Sequence, residues 1–219
     1  MFNINSIFKR KNYEDILYKK YGTANKIQRY NLKLLFIADT HNCLKDGNEI
    51  LKYIQEQKDY DYCILLGDHS ASDIEEILKV IPLNKICGIL GNHDSWNKYD
   101  IYGITNISGK VINIKGIRIA GISGGHKYKN SNEYVLYTHE ESIQIANNIE
   151  KADILITHDK PFIQDNHNSA HDGLKGITEY IYKNHIALHI HGHLHENKEE
   201  ILRNGTKSIC LYMAKLLEL

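Results

Sequence analysis

The 219-residue sequence predicts an α/β fold with one main domain, and three observations carry that reading. Short runs rich in Ile, Leu and Val recur along the chain, bounded by Gly or Asp, as core strands buried on both faces are. Segments with apolar residues at helical spacing alternate with them, which sets neighbouring strands in parallel through helical crossovers. Five of the runs are followed at once by Asp, His or Asn, so polar chemistry collects where strands end.

Taken in order, "NYEDILYKKYG" reads as a short helix. Asn12 caps it, Glu14 and Asp15 fall in its first turn, Tyr13, Ile16, Leu17 and Lys20 share a face, and Gly22 ends it. Residues 1–31 are expected to be a basic, partly helical extension ahead of a domain at 32–219. Lys9, Arg10, Lys11, Lys19, Lys20, Lys26 and Arg29 crowd this extension, which suits phosphate or an acidic partner and equally a solvated helix face. The expected strands are "LKLLFIA" ending at Ala38, "YCILL" at Leu66, "KICGIL" at Leu90, "VINI" and "IRIAGI" between Val111 and Ile122, "DILI" at Ile156 and "IALHI" at Ile190. The expected helices are "DGNEILKYIQEQ", "SDIEEILKVI" with Ser72 as cap, "THEESIQIANNIEK" and "GITEYIYKN".

Composition narrows the function. Lys plus Arg equals Asp plus Glu at 27 each, so the overall charge balance does not call for nucleic acid, and a long duplex wanting a large basic surface is not favoured. The four cysteines, Cys43, Cys63, Cys87 and Cys210, lack paired spacing and read as reduced thiols. No apolar stretch approaches the roughly 20 residues that cross a bilayer. The expectation is a soluble, cytoplasmic protein without a membrane partner; its oligomeric state is not legible.

The loops at the carboxyl ends of strands line the crevice of an α/β sheet. After Ala38 comes "DTH", after Leu66 "GD", after Leu90 "GNHD", after Ile156 "TH" and after Ile190 "HGHLH". Together they offer Asp39, His41, Asp68, Asn92, His158, His193 and His195: two carboxylates, an amide oxygen and four imidazoles. Seven donors are too many for one tetrahedral zinc and suit two ions. Oxygen and nitrogen ligation suits Mn²⁺, Fe, Zn²⁺ or Ni²⁺, and spacing does not choose among them. Two ions about 3.5–4 Å apart clamp a phosphoryl group and make hydroxide available at neutral pH for in-line attack. His189 and His191 alternate with the two ligand histidines and are read as structural. His69, next to Asp68, is left unassigned.

"DTH", "LLGD", "LGNHD", "ITHDKP" and "HGHLH", in this order and spacing, resemble the signature blocks of the calcineurin-like metallophosphoesterases over residues 32–197. The resemblance implies a four-layer α-β-β-α sandwich of two mixed sheets. It implies that Asp39, His41 and His195 hold one divalent ion, that Asn92, His158 and His193 hold the other, and that Asp68 bridges them, with Mn²⁺ as first choice. It also sets His93 facing the substrate, to protonate or stabilise the leaving oxygen, with Asp94 orienting its ring. The phosphoprotein phosphatase branch carries "DRG" after its GD block and a Glu after GNH; this chain has "GDHSASD" and "GNHD". That departure favours the smaller bacterial and phage-type phosphodiesterases, acting on a nucleotide or cyclic nucleotide. A phosphomonoesterase and a non-catalytic metal-binding scaffold with a basic recruiting arm are the alternatives; the scaffold predicts loss of His93 or of a bridging ligand, and all are present. Candidate substrate contacts are His171, His126 and Lys127, with His167 and Lys129 beside them in the same polar loops.

Overall fold

Alternation of side chains along the buried strands decides the architecture. The structure, a computed structural model, describes residues 12–28, 30–45, 48–163 and 169–219. Its elements are α1 (Tyr13–Tyr21), β1 (Lys33–Ala38), α2 (Glu49–Glu56), β2 (Tyr62–Leu65), α3 (Ala71–Val80), β3 (Ile86–Gly88), α4 (Lys98–Tyr102), β4 (Thr105–Asn106), β5 (Val111–Ile114) and β6 (Ile117–Ile122). There follow β7 (Gly125–His126), β8 (Leu136–Tyr137), α5 (His139–Asn148), β9 (Ile154–Thr157), α6 (Lys175–Lys183), β10 (Leu188–His191), β11 (Lys198–Ile201), β12 (Lys207–Cys210) and β13 (Met213–Glu218).

Along β1, Leu34, Phe36 and Ala38 face one core while Leu35 and Ile37 face another. β9 divides in the same way, with Ile154 and Ile156 against Leu155. The first core lies between two sheets, ordered β13-β1-β2-β3-β4 and β11-β12-β10-β9-β6-β5. Each is mixed: β1 to β4 run parallel with β13 antiparallel at the edge, and β12, β10, β9 and β6 run parallel between antiparallel β11 and β5. Ile54 of α2, Ile74 and Ile77 of α3 and Tyr99 of α4 cover the outer face of the first sheet. Leu17 of α1, Ala146 of α5 and Ile177 and Ile181 of α6 cover that of the second. The fold is therefore a four-layer α-β-β-α sandwich.

Three local readings are corrected. The box that caps α3 is Ser70 with Asp73, not a cap at Ser72: the Ser70 hydroxyl accepts from Asp73 N, and the Asp73 carboxylate accepts from Ser70 N. β3 ends at Gly88, and Ile89 and Leu90 stay buried without continuing the strand. The face α1 buries carries Glu14 and Leu17, while Ile16 is 47% exposed. The rotation follows from α6, where Tyr182 Oη donates to Glu14 Oε1 at 2.8 Å and Tyr13 Oη donates to Glu179 Oε1 at 2.7 Å. Lys9, Arg10, Lys11, Arg29 and His167 lie outside the described residues. Cys63, Cys87 and Cys210 are buried and unpaired, and Cys43 is exposed. Among the described residues no helix is long and apolar enough to cross a membrane.

Candidate metal centre

Parallel strands deliver their carboxyl-end loops to one rim, and the backbone ties those loops together. Asp39 N donates to Gly67 O at 3.0 Å, His41 N to Asp68 O at 3.2 Å, and His193 N to Asp39 Oδ2 at 2.9 Å. Asp39, His41, Asp68, His193 and His195 all have left-handed backbone, with φ of 53°, 41°, 58°, 71° and 52°. Residues with a Cβ enter that region at a cost of about 1–2 kcal/mol each, so its concentration in the expected ligands marks a site the surrounding fold holds in place.

Asp39, His41 and His195 bring one ligand atom each into a single cluster. The Nε2 atoms of His41 and His195 are 3.1 Å apart, and Asp39 Oδ1 lies 3.7 Å from His195 Nε2. Asp39 is fully buried, yet its Oδ1 has no hydrogen-bond partner among the described residues. A buried carboxylate oxygen left without a donor is costly, and a divalent cation among these atoms answers it. Gly192 leaves the room, since a Cβ there would lie 2.6 Å from Asp39 Oδ2.

Asp68 and His158 form a second cluster with Asp39. His158 Nε2 is 2.8 Å from Asn92 Oδ1 and 3.4 Å from Asp68 Oδ2, while its Nδ1 is 2.7 Å from Leu66 O. A carbonyl only accepts, so Nδ1 carries the proton and Nε2 is the nitrogen left for a metal. By the same logic His193, whose Nε2 donates to Ala170 O at 2.8 Å, keeps Nδ1 for ligation; its ring centroid is 5.1 Å from that of His158. Asp68 Oδ2 also approaches His41 Nε2, at 3.7 Å, and so stands between the two clusters.

The charges agree with a site made for cations. Burial pushes His158 down, but the Asp68 and Asp39 carboxylates overturn this and raise its pKa to about 10. Against its own burial, Asp68 is held well below the usual carboxylate range by His158 and by the backbone N–H of His93. Burial lifts Asp39 to about 6. A proton on His158 thus occupies ground where metal charge would otherwise sit.

His93 is exposed at the mouth, its N–H donating to Asp68 Oδ1 at 2.8 Å and its ring edge-on to His41 at 5.7 Å. Partial burial lowers its pKa. Asp94 does not serve the His93 ring as the sequence suggested. It is fully buried, its Oδ2 accepts from Asp68 N at 2.9 Å and Gly91 N at 2.7 Å, and its Oδ1 pairs with Lys98, so it positions the Asp68 loop. His189 and His191 lie on the helix-facing side of β10, stacked at 5.1 Å. His189 spans Thr157 Oγ1 and Ser208 Oγ, each at 2.8 Å, on the two flanking strands. The strand stops at His191, so His193 and His195 are loop residues rather than a continuation of the alternation. His69 is buried behind Asp68, 2.9 Å from Thr40 Oγ1. His171 is exposed with its ring 4.9 Å from His193. His126 stacks on His139 at 4.3 Å and donates its backbone N–H to Asp159 Oδ2, and Lys127 pairs through its backbone with Tyr137. The lysine whose charge acts on His93 is Lys129.

Two supporting carboxylates escape the sequence reading. Asp73 accepts from Thr40 Oγ1, Asn42 N and Leu44 N and so pins the loop of Asp39 and His41; the spacing Ser70-x-x-Asp73 is its sequence signal. Asp159, adjoining His158, approaches His193 Nε2 at 3.8 Å.

Known proteins share this frame. An uncharacterised protein of Haemophilus influenzae is 29% identical, with 75% of this chain and 84% of that protein covered. Among solved structures, a phosphopantetheinyl hydrolase of Mycobacterium tuberculosis matches with a TM-score of 0.57 at 15% identity, covering 85% of this chain and 91% of that one. A 5′-nucleotidase of Candida albicans matches with a TM-score of 0.54 at 11% identity, covering 87% of this chain and 47% of that one. These structural likenesses show the fold. The family model of the calcineurin-like phosphoesterase superfamily domain matches residues 32–209, which contain every ligand candidate above, and the chain belongs to that superfamily of metal-dependent phosphoester hydrolases.

Proposed function

We propose that this chain is a two-metal phosphodiesterase acting on a nucleotide or cyclic nucleotide. The observation that carries the reading is that the two ligand clusters adjoin: Asp39 belongs to both, and Asp68 Oδ2 lies 3.7 Å from His41 Nε2 of one and 3.4 Å from His158 Nε2 of the other. Asp39, His41 and His195 would hold one ion, and Asn92, His158 and His193 the other. Divalent ions there, Mn²⁺ first among the candidates, supply Lewis acidity and an activated water.

The remaining work falls to the chain. Asp94 and Lys98 fix the backbone of Asp68 and the Gly91 turn, so the shared carboxylate does not drift. His93, at the mouth, would offer its ring N–H to the leaving oxygen. His171, whose ring lies 4.9 Å from that of His193, would touch substrate. Arg118 pairs with Glu150 and Arg203 with Asp15, so neither clamps a phosphate dianion at this rim, which favours the singly charged diester. A fold relative that is a 5′-nucleotidase is compatible with a nucleotide substrate.

The test is to strip the purified protein, restore single divalent ions, and compare an aryl phosphodiester, an aryl phosphomonoester and a panel of linear and cyclic nucleotides. Metal-dependent turnover, faster on diesters, is expected. Asp68→Asn should lower kcat/KM at least about a hundredfold, since losing even a partner of a ligand costs about 10–100-fold. Equal activity in wild type and Asp68→Asn would overturn the assignment.

A further inference from the structure

Beside His93 the rim opens into a groove of about 550 Å³ that none of the ligand residues needs. His93, Trp96, Lys98, Asn132, Glu133 and Tyr134 line it. Its size falls within the roughly 300–1,000 Å³ of small-molecule sites. Two aromatic rings wall it, and both are held in place. Trp96 donates its indole N–H to Asn132 O at 3.2 Å and meets Tyr137 edge-on at 5.6 Å, while leaving 48% of its surface exposed. Tyr134 lies 6.3 Å from the His93 ring, and a backbone bridge between Tyr134 and Ser95 fastens its segment to the loop of Asn92 and His93. Lys129 sets its ammonium 4.0 Å above the Tyr134 ring.

Trp96, half open to water, and Tyr134 together give the groove an aromatic wall beside His93. Nothing in the two-metal chemistry accounts for it. A flat π-system entering the groove would cover it, because bases stack on aromatic side chains whatever their hydrogen-bonding edge. The Lys129 ammonium, held over the Tyr134 ring, is near enough for its charge to act on His93, and Glu133 in the groove lining sets a carboxylate against a longer polyphosphate tail. We propose that this groove seats the planar base of a nucleoside phosphoester carrying a single phosphate, with Trp96 as the stacking platform, Tyr134 as the wall that holds Lys129, and Lys129 as the cation for its phosphate. The assignment rests on the phosphoesterase reading and adds to it the residues that would recognise the base.

Trp96 is the only tryptophan in the chain, so its fluorescence reports on the groove directly. The metal-loaded full chain is titrated with an adenosine phosphonate whose bridging oxygen is replaced by CH₂, and separately with methylphosphonate, which has no base. Saturable quenching by the first and none by the second is expected. In parallel, the preference in kcat/KM for a nucleoside 5′-diester over glycerophosphocholine should fall about tenfold in Trp96→Ala, mainly through KM, the size of one lost stacking contact. Trp96→Phe should restore most of it. Hydrolysis of both esters with an unchanged preference and no quenching overturns the groove assignment and leaves the phosphoesterase reading intact. Quenching without turnover of any ester supports base binding and removes the phosphoesterase.

Discussion

Asp73→Ala should damage both stability and metal binding although Asp73 touches no ligand side chain. Its carboxylate accepts from Thr40 Oγ1 at 2.8 Å, Asn42 N at 2.6 Å, Leu44 N at 2.8 Å and Ser70 N at 3.3 Å. Thr40 Oγ1 keeps His69 Nδ1, 2.9 Å away, as a partner, and exposed Asn42 recovers one from water, so buried Leu44 N is the donor left unpartnered. That donor at about 1–3 kcal/mol and the lost capping box at about 1 kcal/mol give a loss of about 3 kcal/mol. At about 2–4 °C per kcal/mol for a chain of this size, Tm falls by about 10 °C. The loop it releases holds Asp39, His41 and Asn42 at φ of 53°, 41° and 68°, conformations that relax once unpinned. Affinity for the ion at Asp39, His41 and His195 should drop about 10–100-fold, as when a partner of a ligand is removed. The pH dependence has a sign. Burial pushes Asp73 upward, but its donors hold it below the ordinary carboxylate value. Its contribution is then complete above the unfolded value and lost as pH falls through the lower folded one, so wild type and Asp73→Ala converge in acid. Thermal unfolding at pH 7 and pH 3.5, with metal titration at pH 7, reads all three. A Tm within 2 °C of wild type with unchanged metal affinity would refute the clamp.

Metal must displace the proton that Asp68 and Asp39 hold on His158, whose pKa of about 10 leaves it charged through the neutral range. Apparent affinity should therefore rise about tenfold per pH unit between pH 7 and 9, above the Asp39 value of about 6, with one proton released, measured by calorimetry in buffers of different ionisation enthalpy; a pH-independent affinity would count against the site. Gly91→Ala places a Cβ on Asp68 Oδ1 and Asp68 N, so Asp68 should be driven from the centre and bound metal lost; a full complement by elemental analysis would defeat that geometry. His189 is buried between two hydroxyls, and burial holds its pKa well below 6.5. Unfolding lets it take up a proton, so it costs stability as pH falls below that value, by about 1.4 kcal/mol per pH unit. His69, His139 and His191 are held down by burial in the same way, so His189→Gln should lower the slope in denaturant melts between pH 4.5 and 6 by its own share alone, and an identical slope would sink the account.

Much of the molecule was readable from the chain because the signals involved are local. A strand buried on both faces must be apolar, and the first Asp or His after it marks where burial ends, so Ala38–Asp39 and Leu66–Gly67–Asp68 announce both a strand and a donor. Caps are equally local, which is why Asn12 and Gly22 bound α1 as expected, and why the spacing Ser70-x-x-Asp73 carries the box that caps α3. Donor chemistry was legible too, since residue type alone says that these side chains prefer divalent ions.

What the chain determined by itself was which side chains stand at strand ends and what they are able to bind. Tertiary structure decided which of them meet. His193 N reaches Asp39 Oδ2 across 154 positions, and Asp94 turns to the backbone of Asp68 rather than to the ring beside it. It also decided that α1 buries Glu14, and that Trp96 and Tyr134 face one groove. Periodicity states which face a residue takes, never which partner waits there. Left-handed backbone at five ligand positions is likewise a conformation that only the surrounding contacts enforce.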